Sequence, residues 1–164
     1  GLDTGDMLMV QKYTLDAKET GGSLFDKLSQ LGGPMILEVL KQAEAGELHP
    51  VPQGEEYTYA KMLSKETGKL DFTRPAVELE RLIRGLNPWP IATTEINGKK
   101  IKVHSSLLCE KSGKAGTVIS TKPLIVACGE KSVELCEIQP EGKKKMTAEA
   151  FLAGHRLSVG DVIG

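Results

Sequence analysis

The chain of 164 residues is 40% hydrophobic and 26% charged, with a net charge of -1. This composition is sufficient for a hydrophobic core and excludes a wholly disordered chain, and no apolar run approaches the roughly 20 residues of a membrane-spanning helix. The three cysteines, Cys109, Cys128 and Cys136, show no CxxC spacing. Their odd number argues against a disulfide framework or a thiolate metal site and favours a cytoplasmic protein.

The small net charge conceals an asymmetry between the two parts of the chain. Residues 1–58 carry four Lys/Arg against ten Asp/Glu, whereas residues 59–164 carry 17 Lys/Arg against 12 Asp/Glu. Such a split suggests two units, of which the second could face a polyanion. On charge alone, an ordinary solvated lysine surface remains the favoured interpretation.

The first segment of the chain predicts one strand and two helices. Met7–Thr14 is apolar at first and then alternates, which indicates a strand. Ser23 is a candidate N-cap for a first helix, which Gly32-Gly33 should end, and Pro34 should open a second helix that ends at Gly46. This order is typical of the tail of an α/β unit. Because the chain also lacks an initiator Met, we expect a fragment of a longer protein.

A proline-rich linker, His49–Gly54, separates this segment from the basic part of the chain. Beyond the linker, Thr73 and Pro75 should open an amphipathic helix with apolar positions from Ala76 to Leu86. Asn87-Pro88-Trp89-Pro90 should end it, because a residue before proline disfavours the α conformation.

Short strands dominate the rest of the chain. Asn97-Gly98 is a specific signal for a two-residue hairpin, and Thr147 is a candidate N-cap for a last short helix. The number and spacing of the strands predict a small OB-like β-barrel with short helices. The strand candidates are Ile91–Ile96, Lys100–Leu108, Thr117–Ser120, Leu124–Cys128 and Ser132–Gln139. The predicted fold class is therefore an α+β fragment, with the tail of an α/β domain followed by this barrel.

Few residues point to catalysis. Asp3 and Asp6 flank Gly5 in a turn, where a carboxylate could orient a histidine or a water for proton transfer, although an Asx-type turn alone also explains them. The three histidines have no metal-ligand spacing, so no metal site is expected. No glycine loop of the phosphate-binding type is present.

The basic residues carry a stronger signal. They cluster on the predicted hairpin, in a loop after Pro140, and at a spacing of four in the stretch from Lys61 to Lys69, which would place three lysines on one face if it were helical. With few aromatic residues to interleave, they favour RNA binding through phosphates and shape rather than bases. The candidate tRNA-binding residues are Lys61, Lys65, Lys69, Arg81, Arg84, Lys99, Lys100, Lys102, Lys143, Lys144 and Lys145.

The sequence resembles the methionyl-tRNA formyltransferase family along essentially its whole length. The most specific stretch is Asn-Pro-Trp-Pro directly after an Ile-Arg-Gly helix. The similar stretches are Gly1–Leu8, Gly22–Leu28, Tyr59–Glu66, Leu70–Phe72, Leu79–Pro90, Gln139–Met146 and Gly154–Leu157. They follow one another in the order of the end of the family's formyltransferase domain, its linker and its C-terminal domain.

The resemblance implies an enzyme that transfers a formyl group from 10-formyltetrahydrofolate to the amino group of methionyl initiator tRNA. It implies that 1–47 is the C-terminal remnant of a Rossmann-like catalytic domain, 48–58 a linker and 59–164 an OB-like tRNA-binding domain. Catalysis in the family uses an Asn, a His and the Asp of a Leu-Asp-x-Gly turn, which is Asp3 here. The Asn, the His and the folate-binding segment have no counterpart in this sequence, so we expect the chain alone to be inactive and to bind no folate.

Two alternatives stay open. One is a related formyltransferase acting on a nucleotide sugar, against which Asn87–Pro90 and the basic second part argue. The other is a free-standing RNA-binding module without chemistry. Under the main hypothesis, we expect methionyl initiator tRNA as partner, no membrane partner and a monomer in the cytoplasm.

Overall fold

The structure, a computed structural model, describes residues 3–54 and 56–164. Its contacts divide the chain into two units. The first, unit 1, comprises Gly1–Glu19 and Ser23–Met62, and the second, unit 2, comprises Thr20–Gly22 and Leu63–Gly164.

One long helix dominates unit 1. The helix α1 runs over Gly21–Ala45, so the prediction of two helices is wrong, and Ser23 lies inside the helix rather than at its cap. Gly32 and Gly33 do not adopt the left-handed backbone of a helix-ending glycine. Pro34 is exposed within the helix, where water can hydrate the carbonyl group that loses its helical partner.

The predicted strand at Met7–Thr14 is also wrong. In the described residues this stretch makes only an isolated bridge, in which Met7 and Val51 exchange two backbone hydrogen bonds of 2.8 and 2.9 Å. Val10 is 67% exposed. The apolar pattern favours a strand, but a strand requires neighbours, and one bridge does not supply them.

A buried carboxylate joins the segment before α1 to the helix. Glu19 is buried, and its carboxylate accepts hydrogen bonds from the Ser23 hydroxyl, from Lys27 Nζ at 2.9 Å and from the Tyr13 hydroxyl at 2.8 Å. These donors, Ser23 foremost and then Lys27 and Tyr13, lower the pKa of Glu19 to about 2. The ionised carboxylate therefore fixes the irregular segment to the first turns of α1.

Unit 2 is built on an antiparallel sheet with two helices. The described strands are β1 (Ala92–Ile96), β2 (Lys99–Cys109), β3 (Val118–Thr121), β4 (Leu124–Ala127), β5 (Ser132–Pro140) and β6 (Met146–Thr147). The strand order is β1-β2-β5-β4-β3, with β6 on β5. The helices are α2 (Ala76–Gly85) and α3 (Ala148–Gly154), and a single 3-10 turn covers Glu66–Gly68.

The sheet confirms the predicted strands to within one residue at nearly every end. Asn97 and Gly98 have φ angles of 52 and 71°, the left-handed pair that a tight hairpin between β1 and β2 requires. Thr147 caps α3, since its hydroxyl oxygen accepts the Ala150 N–H at 3.2 Å. The predicted α+β class is thus confirmed. In the strand pairings of the described residues β1 and β3 are the ends of the order, and closure into a barrel stays a prediction.

The core of unit 2 lies between α2 and the sheet. Leu79 and Ile83 of α2 are each 1% exposed, as expected for the apolar stripe of an amphipathic helix. They belong to one cluster with the inward-facing residues of the strands. The strand members include Ile101, Val103, Val126, Val133, Leu135 and Ile138.

We expect Gly129→Ala to destabilise the chain by about 2 kcal/mol or more. The added methyl group would overlap the Thr73 carbonyl group, and the Gly129 N–H donates to the Arg74 carbonyl at 3.0 Å beside it. Urea unfolding followed by circular dichroism measures the change. In Gly154→Ala the new methyl group meets nothing within 4 Å, so this control should be neutral or slightly stabilising. Equal unfolding midpoints for the two variants would contradict the packing described.

We expect the stability of unit 1 to fall as pH falls from 4.5 towards about 2, because protonation of Glu19 removes a carboxylate that is bound only in the folded state. A lowered folded-state pKa contributes stability above the ordinary pKa and loses it on acidification. Glu19→Gln should therefore unfold more readily at pH 7 and show a flatter pH dependence in that window, as measured by denaturant unfolding. Glu38→Gln, at an exposed position of α1, should keep the wild-type slope. Identical slopes for wild type and Glu19→Gln would refute this role.

Candidate nucleic-acid interface

Four lysines of unit 2 line two adjoining surface depressions. One, of about 440 Å³, is lined by Lys65, Lys69 and Lys100; the other, of about 390 Å³, is lined by Lys65, Lys100 and Lys102. We call these four residues the lysine cluster. All four side chains are exposed, and none forms an ion pair with a carboxylate in the described part of the chain.

The pleat of β2 places two members of the cluster. Lys100 and Lys102 are exposed, whereas Ile101 and Val103 between and beyond them are almost completely buried. Since successive side chains of a strand point to opposite faces, burial of the two apolar residues in the core directs both lysines to solvent.

The other two members flank the 3-10 turn. The Leu70 N–H donates to the Thr93 carbonyl of β1 at 2.8 Å, and Lys69 bridges Thr93. At Gly68 an added Cβ would lie 2.5 Å from the Ile91 carbonyl oxygen, so only glycine allows this approach. The close backbone contact is what brings Lys65 and Lys69 beside β1 and β2.

Acidic residues share the depressions with the lysine cluster. Glu66 and Glu95 line the larger depression, and Glu141 lines both. A hydrogen bond from its own backbone, followed by one from Ser64, lowers the pKa of Glu66, and Lys100 and Lys65 lower it further. Glu66 is thus ionised near neutral pH and moderates the positive potential of the larger depression. The smaller depression keeps three lysines against one glutamate.

The loop between β5 and β6 carries the three consecutive lysines. Gln139 Nε2 donates to the Lys143 carbonyl at 2.9 Å, which ties the loop to β5. Lys143 and Lys144 are exposed, whereas Lys145 forms an ion pair with Glu137 at 3.1 Å. Lys143 and Lys144 therefore have the more available charges.

Lys61, Lys65 and Lys69 do not share a helical face, because the stretch that contains them is not a continuous helix. In the structure only Glu66–Gly68 forms a helical turn in this stretch. Lys61 belongs to unit 1 and is not part of the lysine cluster of unit 2.

The remaining predicted basic residues differ in availability. Arg84 of α2 is half-buried and its guanidinium contacts the Glu80 carboxylate at 3.0 Å. Arg81 on the same helix and Lys99 at the start of β2 are exposed. A role of these three residues in RNA binding stays a prediction.

Asp3 lies in unit 1, in an exposed turn with a left-handed backbone. Gln53 Nε2 donates to the Asp3 carbonyl at 3.1 Å and to the Gly5 carbonyl at 2.7 Å, so the backbone of the turn is held. Leu2, before it in the predicted motif, lies outside the described residues. Within the described ranges no three His, Cys, Asp or Glu residues gather in a way that could hold a metal ion.

The remaining reactive side chains have structural surroundings. The three cysteines are free, and burial raises the pKa of Cys128 and of Cys136 to about 11, so neither is a thiolate near neutral pH. His155 stacks on Phe151 with ring centroids 4.1 Å apart. None of the described helices is long and apolar enough to cross a membrane.

Trp89 is a residue for which the sequence predicts no role. Its side chain is 58% exposed and lines the smaller depression with Lys65, Lys100 and Lys102. The sequence contains a signal for a restrained backbone here, because a proline stands on each side of the tryptophan directly after a helix.

Comparison with known proteins gives the family context. The model of the "Formyl transferase, C-terminal domain" family matches residues 62–156. The chain is 47% identical over its full length to a methionyl-tRNA formyltransferase of Lachnospira eligens and 47% identical over 98% of its length to one of Myxococcus xanthus. It spans about half of these relatives, 55% and 52% respectively.

The fold also resembles solved structures. A crystal structure of HypX from Aquifex aeolicus in complex with tetrahydrofolic acid superposes with a TM-score of 0.64 at 19% identity. The match covers 92% of this chain and 28% of HypX. At this identity the likeness concerns the fold alone.

Proposed function

The chain belongs to the formyl transferase C-terminal domain family, and from that premise we propose that it is the C-terminal portion of a methionyl-tRNA formyltransferase. The full-length enzyme would transfer a formyl group from 10-formyltetrahydrofolate to the amino group of methionyl initiator tRNA. The observation that carries the proposal is the similarity of the entire chain to enzymes of that name.

Within this proposal, unit 2 is the OB-like tRNA-binding part. Its support is the lysine cluster, whose exposed charges have no ion-pair partner in the described residues. Phosphates attract such mobile cations, and release of counterions drives the association. The exposed Lys143 and Lys144 would extend the contact area.

We propose further that residues 1–47 are the end of a Rossmann-like catalytic domain, joined by residues 48–58 to residues 59–164. The support is the unusual exposure of α1, in which no residue is buried. Phe25 is 73% exposed and Leu37 is 61% exposed. Apolar side chains of this kind require cover from further structure.

Asp3 is the residue of this chain that we propose for the reaction, where its carboxylate would orient a histidine as the amine attacks the formyl carbon. The described residues do not assemble a folate site around it, because its turn lies at the surface and the Asn and His of the implied constellation have no counterpart in the sequence. Free cysteines support the proposed cytoplasmic location.

A nucleotide-sugar formyltransferase is less well supported. Such a substrate offers few phosphates to a surface as basic as unit 2, and the methionyl-tRNA formyltransferases match the chain at 47% identity. Assay of the longer parent protein on both acceptors separates the two activities.

We expect no formyl transfer above background when this chain alone is given charged initiator tRNA and the formyl donor. Catalytic groups that act as a unit fail together when members are missing, and Asp3 is a single member. A radiolabelled-formyl assay, with a complete formyltransferase as positive control, measures the rate. Robust turnover by the chain would contradict the proposed division of the catalytic site.

We expect the chain to bind tRNA with a dissociation constant of roughly 10⁻⁴ to 10⁻⁶ M and a steep salt dependence. A triple Ala variant of Lys65, Lys100 and Lys102 should reduce the steepness of the log–log salt plot by roughly 2 to 3, at about 0.7 to 0.9 per lost contact. Filter binding across a salt series, with initiator and elongator tRNA, measures both quantities.

The matched control removes three exposed lysines that line neither depression. These control lysines are Lys111, Lys114 and Lys122. Both triple variants lose three positive charges. If only the net charge of the chain attracted RNA, the two variants would therefore lose the same affinity and the same salt dependence. Equal loss in the two variants would overturn the assignment of the interface.

A further inference from the structure

Trp89 is an aromatic residue that is more than half exposed beside the lysine cluster. Tryptophan is highly buried on average, yet Trp89 is 58% exposed. Across the described residues, no aromatic ring and no cation lies over it. More than half of the residue's surface is therefore open to a planar group from solution.

The loop that carries Trp89 is held in place at both ends. The Ile91 N–H donates to the carbonyl of the buried Leu86 at 3.0 Å, and the Asn87 side-chain amide donates to the His104 carbonyl of β2 at 2.9 Å. Pro88 and Pro90 restrict the backbone on each side of the ring. A ring held in this way loses little conformational freedom on binding.

The charges around the ring match a nucleotide. Trp89 shares the depression of about 390 Å³ with Lys65, Lys100 and Lys102, against one carboxylate, that of Glu141. An aromatic face beside mobile cations is the arrangement by which proteins bind unpaired nucleotides, with the base stacked on the ring and the phosphates held by the cations.

We propose that Trp89 is the stacking platform for one unpaired base of a bound RNA, while Lys65, Lys100 and Lys102 hold the adjacent phosphates. The proposal rests on the proposed function, because it requires RNA to bind unit 2. It adds a contact to a base, so that the chain would distinguish unpaired RNA from duplex RNA.

The sequence contains a single tryptophan, so intrinsic fluorescence reports on this ring alone. Titration with a short unstructured oligoribonucleotide should quench the fluorescence of Trp89 and shield it from acrylamide. A blunt duplex RNA, which offers phosphates but no unpaired base, should bind without either change.

Variants separate stacking from folding. Trp89→Ala should weaken binding of the labelled single strand about 5- to 150-fold, the range for loss of one stacked base, and change duplex affinity by less than about twofold. Trp89→Phe keeps an aromatic face and should retain most of the affinity. Tyr59→Ala removes another exposed aromatic side chain, from unit 1, and should bind as the wild type does.

The outcomes distinguish this inference from the proposed function. If the chain binds no RNA at all, both fail. If it binds both RNAs with a steep salt dependence, but Trp89→Ala binds the single strand as well as wild type and the fluorescence does not change, the stacking proposal alone is overturned. It is also overturned if, in the longer parent protein, Trp89 is shielded from acrylamide before RNA is added, because protein then covers the ring.

Discussion

The alternation of side chains along β2 is the constraint on which the candidate interface depends. Ile101 and Val103 are held in the core of unit 2. Because successive side chains of a strand point to opposite faces, Lys100 and Lys102 point to solvent. Burial of apolar area that stabilises the sheet therefore also fixes the direction of the charges. A shift of one residue in the pairing with β1 would bury both lysines at a cost far above that of any surface ion pair. The same strand register therefore determines both the packing of the core and the position of the charges.

Unit 1 depends on a different kind of interaction. Its described segments share one antiparallel bridge, and a cluster of hydrogen bonds on the Glu19 carboxylate connects the chain before α1 to the helix. Along α1 the apolar side chains are half-buried or exposed. A helix of this composition gains little from packing within unit 1, and helices in proteins owe most of their stability to such packing. This is the physical content of the proposal that residues 1–47 belong to a catalytic domain.

The sequence predicted unit 2 better than unit 1, for a physical reason. The hairpin at Asn97-Gly98, the cap at Thr147 and the alternating strands are local signals, and the structure agrees with them. The pattern of Met7–Thr14 predicts a strand, but a strand also needs a partner. Pro34 predicts the start of a new helix, yet it lies inside α1, where its exposed position lets water hydrate the carbonyl group without a helical partner. The lysine cluster was predicted as residues but not as a group, because the bridge between Lys69 and Thr93 joins segments distant in sequence. The spacing of residues along the sequence does not predict such a contact.

If RNA binds unit 2 at the lysine cluster, it must cover those lysines. Mass-spectrometric footprinting of lysine acetylation, on the 164-residue chain with and without initiator tRNA, tests it most directly because every lysine is read in one sample. We expect strong protection at Lys65, Lys100 and Lys102 and unchanged labelling of the control lysines, all of which are exposed without RNA. Protection of the control lysines with continued labelling of the cluster, or no protection at any lysine, would contradict it.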